Sequence, residues 1–365
     1  MSQNKVRAVY MRGGTSRCLV FHHGDLPAPG AERDRILLAA LGSPDPYGRQ
    51  LDGIGGGISS LSKACIIGPP THPDADVDYT FAQIDVRSPV VDYAGNCGNC
   101  SSAVGPFAID EGLVKATDGE ALVRIHNTNT RKIILSHVPV KDGEAAVEGD
   151  FELAGVAGRG ARITLDFQDP GGAGTGRLLP TGRPREWIGG AEASLVDATN
   201  PMVFVRAKDL GLIGTESPQA IDADRGLAAR LEALRVEAAA RMGIPGSAAL
   251  PKIAMVAEPA SFTGLDGARY EADQIDVVAR VISMGACHRA FALTAAMCLA
   301  VAARVEGSLV RESAGDIAGD IRLGHPSGVL PIDAAVRLRD GAPWAERVTV
   351  YRTARRIMEG FARVP

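Results

Sequence analysis

Short β-branched runs alternate with turn residues through the first half of the chain. Residues 6–11, 16–21, 63–67, 77–87, 122–126, 132–138, 147–153 and 161–167 read as strands. Turn chemistry such as Lys141-Asp142-Gly143 separates them. Residues 169–185 carry Pro170, Gly171, Gly172, Gly174, Gly176, Pro180, Gly182 and Pro184, which marks a boundary between halves 1–185 and 186–365. The second half opens with strands at 193–198 and 202–206. Leu227, Leu231, Leu234, Ala238 and Met242 then recur at helical spacing and predict an amphipathic helix over 226–242 that stops at Gly243. Residues 252–257, 274–284, 321–323, 329–338 and 345–352 are further strands.

Two segments are apolar nearly all round, 98–112 in the first half and 288–305 in the second. A helix with no polar face must be enclosed. Each follows a short glycine-containing turn, Gly95-Asn96-Cys97 and Ser283-Met284-Gly285. The expected architecture is therefore α/β, with two halves that each wrap a mixed sheet around a central helix. The longest apolar stretch, 290–303, is flanked by Arg289 and Arg304. It falls short of the roughly 20 residues that span a bilayer, so no membrane association is expected.

Composition narrows the class without changing that picture. The chain has 365 residues, 45% hydrophobic and 22% charged, which is ordinary globular usage. The 39 Lys and Arg against 43 Asp and Glu leave a net charge of −4. That balance gives no counterion-release drive toward nucleic acid. No charged segment followed by an apolar stretch opens the chain, and the six cysteines are expected as free thiols of a soluble cytoplasmic protein.

The candidate chemistry starts at Gly95-Asn96-Cys97-Gly98-Asn99-Cys100, where a strand-like run gives way to the first enclosed helix. A thiol at a helix N-terminus has its pKa lowered by the macrodipole, and the free backbone N–H groups suit a carboxylate. The competing reading is a small buried hydrophobe at Cys97 with Asn96 as a plain N-cap. Cys97 and Cys100 also form a Cys-x-x-Cys pair. As a zinc site it lacks two further ligands at suitable spacing, and a redox pair is the other reading. Lys63 ends a glycine-rich loop, residues 52–62, that matches neither a P-loop nor a Rossmann fingerprint. It opens an apolar run, which suits a lysine of lowered pKa as well as an ordinary strand-end lysine. Thr15, Ser16 and Arg17 lie between two strands, where hydroxyls and a guanidinium could hold a carboxylate or merely form a hairpin. Ser327, in Gly324-His325-Pro326-Ser327-Gly328, and His288, at the start of the second enclosed helix, are comparable candidates. Asp74, Asp76 and Asp78 alternate like a calcium loop, but Tyr79 occupies the position that needs glycine, so no metal is expected.

Taken together, several motifs resemble the PrpF family. These are Met11-Arg12-Gly13-Gly14-Thr15-Ser16, Gly42-Ser43-Pro44-Asp45-Pro46-Tyr47-Gly48, Ser59-Ser60-Leu61-Ser62-Lys63 and Gly95-Asn96-Cys97-Gly98-Asn99. Ser283-Met284-Gly285, Gly324-His325-Pro326-Ser327-Gly328 and the ending Met358-Glu359-Gly360-Phe361-Ala362-Arg363-Val364-Pro365 fit as well. The resemblance runs from about residue 6 to the end of the chain. It implies a diaminopimelate-epimerase-like fold of two pseudo-symmetric halves with the active site in the cleft between them, the last residues being placed to return to the first half. It also implies a cofactor-independent isomerase that moves a C=C bond, or its cis–trans geometry, in an unsaturated di- or tricarboxylate. The activities it brings are 2-methylaconitate isomerisation, 3-methylitaconate isomerisation and 4-oxalomesaconate tautomerisation. The family's catalytic lysine and cysteine fall on Lys63 and Cys97. Thr15, Ser16, Arg17, Asn96, Gly98, Asn99, Met284, His288 and Ser327 are the substrate-binding positions expected here. Arg17-Cys18 departs from the Lys-Gly common in the family, and Cys100 from an aliphatic residue.

On this reading Lys63 is the base, Cys97 exchanges a proton at another carbon or face, and a helix start near His288 holds a second carboxylate. Rival readings are an accessory protein of an aconitase-like dehydratase, a carboxylate-binding module, and a two-thiol epimerase using Cys97 and Cys287. A homodimer and a functional link to such a dehydratase are compatible partners.

Overall fold

The computed structural model describes residues 3–247 and 249–365. The chain divides into two compact units, Met1–Leu165 with Tyr351–Pro365, and Asp166–Val350. The glycine-rich stretch 169–185 lies inside the second unit. There the Asp197 carboxylate gathers it, accepting hydrogen bonds from Gly174 N (2.9 Å), Thr175 N (2.6 Å) and Thr175 Oγ1 (2.8 Å).

In the first unit β1 (Asn4–Gly13) and β2 (Ser16–His22) form a hairpin, Gly13 facing Ser16. The terminal strand Ala354–Val364 pairs with the other edge of β1. β2 runs parallel to β3 (Lys63–Gly68), which pairs antiparallel with β4 (Val77–Ile84). The strands Gly119–Asn127 and Lys132–Lys141 extend the sheet beyond β4. The run expected over 77–87 stops at Ile84 because the Asp85 carboxylate turns the chain by accepting from Arg87 N and Ser88 N, both at 2.8 Å. The strand expected over 147–153 is reduced to Phe151–Glu152.

Alternation along β3 and β4 separates two faces. Ala64, Ile66, Ala82 and Ile84 join a core with α1 (Ala31–Leu41), whose Ile36, Leu37, Ala40 and Leu41 are buried. Sequence reading missed α1, although those four positions carry helical spacing. Lys63, Cys65 and Ile67, with their partners Gln83, Phe81 and Tyr79, line the other face. That face holds α2 (Gly98–Asp110), in which every residue from Gly98 to Ile109 is buried. The enclosed helix expected at 98–112 is therefore present. Two glycines let it seat: a Cβ on Gly13 would lie 2.6 Å from Asn99 O, and one on Gly105 would lie 2.6 Å from Ser136 Oγ.

The second unit has the same ingredients. Strands Ala191–Ala198, Asn200–Arg206, Lys252–Ala257, Val277–Ser283, Ile321–His325 and Gly328–Arg339 are neighbours in that order. The predicted amphipathic helix is present as Arg225–Met242, capped by Asp224, whose Oδ1 accepts from Leu227 N, and closed by Gly243 in the left-handed region. The second enclosed helix is Leu293–Ala302, and all of its residues are buried. It starts five residues after His288. Met284 (φ 54°) and Gly285 (φ 76°) form a two-residue hairpin turn, so Ala286–Cys287 pairs back onto Val277–Ser283. The backbone at 288 is thus still laddered, with His288 N donating to Val281 O at 2.9 Å. The helix start expected at His288 is corrected accordingly. No helix among the described residues is long and apolar enough to cross a membrane.

Candidate active site

The sheet and α2 bring Lys63 and Cys97 to one site in the first unit. Lys63 opens β3, is 8% exposed, and donates from Nζ to Gln83 Oε1 at 2.6 Å. Gln83 is held in turn, its Nε2 donating to the carbonyls of Ser59 (3.1 Å) and Ser62 (3.0 Å). Its amide oxygen is therefore committed to the ammonium. The Lys63 ammonium also lies 5.0 Å from the centroid of the Phe81 ring.

Cys97 is the N-cap residue of α2, with extended backbone (φ −112°, ψ 99°). Its Sγ accepts from the backbone N–H of Cys100 at 3.5 Å, and its carbonyl accepts from Tyr79 Oη at 3.4 Å. Burial opposes its ionisation. It is outweighed by the Cys100 thiol, the Lys63 ammonium, the Cys100 N–H and the Ser16 hydroxyl, and the thiol pKa falls well below its usual value. Ionisation of Cys97 is thus favoured by its neighbours, with Lys63 among them.

Thr15, Ser16, Asn96, Gly98 and Asn99 gather at this helix start. Asn99 Nδ2 donates to Thr15 Oγ1 (3.1 Å), and Ser101 Oγ donates to Asn96 Oδ1 (3.4 Å). Arg17 stands apart. Alternation on β2 turns it away from Ser16 and Cys18, and its guanidinium lies 5.5 Å over the Tyr10 ring. In the second unit His288 and Ser327 are neighbours: Ser327 Oγ donates to Arg289 O (2.7 Å), while His288 Nδ1 accepts from Ala290 N (3.1 Å). Met284 is a turn residue of the hairpin described above. Cys287 is buried, and burial, followed by Asp222, pushes its thiol up to about 12. It is poorly suited to be the second acid–base thiol of an epimerase.

Sequence reading missed four features of the first unit. Gln83 is the acceptor that positions Lys63; its parity with Tyr79 and Phe81 was visible, but the register with β3 was not. Arg352, in the segment that closes the chain, is fully buried, and its Nε donates to Asn99 Oδ1 at 3.1 Å across 253 residues. Burial lowers its pKa to about 9, opposed by the Cys97 thiolate. Gln50 organises the glycine-rich loop, its Oε1 accepting from Gly57 N (2.9 Å) and Ser62 Oγ (2.6 Å). Finally, Cys18 from β2, Cys65 from β3 and Cys100 from α2 bring their sulfurs within 4.8 Å of one another. Spacing along the chain could not reveal that cluster. Burial and mutual contact push Cys65 and Cys100 up, and Cys18 is raised despite a hydrogen bond with Cys100 that acts the other way. All three are therefore neutral thiols, and only a soft metal displacing their protons could use them as ligands.

The arrangement can remove a proton with one group and return it with another, next to backbone N–H groups that stabilise negative charge. Comparison with known proteins points the same way. The chain is 43% identical to the 3-methylitaconate isomerase of Eubacterium barkeri, over 99% of this chain and 98% of that one. It is 41% identical to the 2-methyl-aconitate isomerase of Cupriavidus necator, over 100% and 98%. The crystal structure of a methylitaconate-delta-isomerase superposes with a TM-score of 0.79 at 41% identity, covering 100% of this chain and 96% of that one. A hydroxyproline epimerase from Agrobacterium vitis shares the fold alone, with a TM-score of 0.57 at 12% identity over 98% and 92%. The fold is diaminopimelate-epimerase-like, as expected. The relatives named isomerases match along essentially the whole chain, and the model of the PrpF protein family matches residues 3–365. This chain is therefore an isomerase belonging to the PrpF family.

Proposed function

We propose that the chain shifts a C=C bond, or its cis–trans geometry, in a small unsaturated di- or tricarboxylate by allylic proton transfer between Cys97 and Lys63. A 2-methylaconitate or aconitate-type tricarboxylate is the first substrate, with 3-methylitaconate and 4-oxalomesaconate as competitors. The observation that carries this reading is the burial of Cys97, at the start of α2, together with Lys63 in one site; we take the pair as thiolate and ammonium. In that charge state the Cys97 thiolate takes the allylic proton, and the Lys63 ammonium returns one at the other end of the delocalised anion. The site is then left with a thiol and an amine. Reversibility requires the reverse reaction to start from that state, with Lys63 as base. The lysine-base expectation thus describes one direction of the same cycle. Once the proton is removed, the former double bond can rotate, so migration and cis–trans exchange share one intermediate. The α2 N–H groups, with Asn96 and Asn99, would hold the developing negative charge, and Thr15 and Ser16 would orient a carboxylate.

The test is incubation of the protein with a panel of unsaturated di- and tricarboxylates in heavy water, followed by proton NMR. Deuterium at the allylic carbon together with a new isomer supports the reading. Binding with no exchange from any member of the panel would leave the carboxylate-binding module in its place. Full turnover in both Lys63→Ala and Cys97→Ser would sink the residue assignment.

A further inference from the structure

We propose that Cys97 and Cys100 form a reversible disulfide when the protein meets a hydroperoxide, making the pair an oxidative modification site. Cys97 is the N-cap of α2 and Cys100 lies three residues on, in its first turn. The two thiols are hydrogen-bonded to each other, so their sulfurs already lie near one another; bond formation draws the Cβ atoms in to the roughly 3.5–4.5 Å that a disulfide spans. The Cys97 sulfur already lies over that turn, accepting from Cys100 N at 3.5 Å. Access and reactivity then divide the roles. Cys97 retains 9% exposure while Cys100 has none. A small oxidant therefore meets Cys97 first, and the sheltered Cys100 serves as the resolving thiol. Their ionisation follows the same division, with Cys97 pulled down and Cys100 pushed up chiefly by burial.

The chemistry balances with the hydroperoxide as the sole co-reactant. The Cys97 thiolate attacks the outer oxygen, the O–O bond breaks, and the alkoxide leaves as alcohol after taking a proton, giving a sulfenic acid at Cys97. The Cys100 sulfur then attacks the Cys97 sulfur. Its thiol proton goes to the departing hydroxide, and water leaves. Overall, two thiols and one hydroperoxide become one disulfide, one alcohol and one water; the sulfurs lose two electrons and the peroxide gains them. Cys18 and Cys65 pack against Cys100, so they are the rival partners for such a bond, and peptide mapping tells them from the Cys97–Cys100 pair.

Disulfide formation does not depend on Cys97 being catalytic; only the accompanying loss of turnover rests on that reading. The experiment treats the full chain with hydrogen peroxide, blocks remaining thiols, and maps peptides by mass. Both cysteines fall in the tryptic peptide 88–115. The expected result is that peptide lighter by two hydrogen atoms with neither cysteine blocked, turnover lost, and both changes reversed by dithiothreitol. Cys100→Ala should instead carry Cys97 on to a sulfinic acid that dithiothreitol does not reverse. If that variant fails to fold, the wild-type peptide still decides. An oxygen adduct on Cys97 with Cys100 left blockable, or a cross-link from Cys18 or Cys65, overturns the proposal. The disulfide forming with turnover intact would uphold it and refute the catalytic role of Cys97.

Discussion

Replacing Gly13 by alanine tests whether the start of α2 is positioned by the sheet beneath it. Gly13 is the last residue of β1 and is laddered on both sides, to Ser16 and to Ala354, so its backbone has little room to yield. An added Cβ would stand 2.6 Å from Asn99 O, 3.2 Å from Ala103 Cβ and 3.3 Å from Cys100 Cα. The first contact falls 0.8 Å short of the 3.4 Å at which ordinary packing begins, and the atom to be moved is helix backbone. α2 cannot simply retreat, because Gly105 on the same helix is already closed against Ser136 and Val138. Overpacking of this kind costs about 1–3 kcal/mol. A shift approaching 1 Å at a reacting group can cost on the order of 100-fold in rate. Gly13→Ala should therefore lower stability by about 1–3 kcal/mol in urea denaturation and lower kcat/KM by about 10- to 100-fold, with slower alkylation of Cys97 by iodoacetamide. Stability within about 0.5 kcal/mol of wild type together with unchanged alkylation and turnover would refute the claim that this close approach positions the thiol.

Three further outcomes follow from the same geometry. Lys63→Met removes the ammonium that favours the Cys97 thiolate, so the pH profile of alkylation should move to higher pH; an unmoved profile would show that the cation does not act on the sulfur. Gln83→Leu removes the 2.6 Å acceptor of Lys63 and should lower kcat more than it raises KM, while Gln83→Asn, too short to bridge, should not rescue it. Glu312 has its carboxyl held down to about 2, chiefly by Arg206, with burial opposing and Arg185 assisting. The stability this contributes is present above the unfolded carboxyl value of about 4.3 and is lost as pH falls through about 2. Glu312→Gln should lower stability at neutral pH, flatten the profile across that window, and converge with wild type below about pH 2.

Local pattern carried most of the fold because most elements announce themselves locally. The enclosed helix at Gly98–Asp110 has no polar face to hide, and Arg225–Met242 shows both its stripe and its stops. The second enclosed helix was legible in composition but not in its start, since no stop or cap residue separates Ala290–Ala292 from the helix, while the hairpin at Met284-Gly285 keeps the chain laddered as far as His288. In the site, Lys63 and Cys97 could be named from motif and helix position alone. Their partners could not. Gln83 acts through strand register, Cys18 and Cys65 through the parallel pairing of β2 and β3, and Arg352 through a contact spanning 253 residues. Each depends on a long-range pairing that no window along the chain contains.

Arg352 also changes what the site can hold. A thiolate and one ammonium would make a neutral pair, already satisfied and with little reason to admit an anion. Arg352 adds a second cation that is fully buried, faces the same thiolate, and is tied to Asn99 beside it. With Cys97 ionised, the groups at the start of α2 then set one negative sulfur against two positive side chains, before the α2 N–H groups are considered. Holding a guanidinium in a dry interior is costly, and the lowering of its pKa to about 9 reflects that cost. A polycarboxylate would relieve it. Such a ligand brings negative charge to a place where low dielectric strengthens the attraction. The same charge would raise the proton affinity of the sulfur at the moment when the thiolate must take a proton. Substrate charge and base strength are thereby coupled: a monocarboxylate analogue would be held less tightly and would also meet a weaker base.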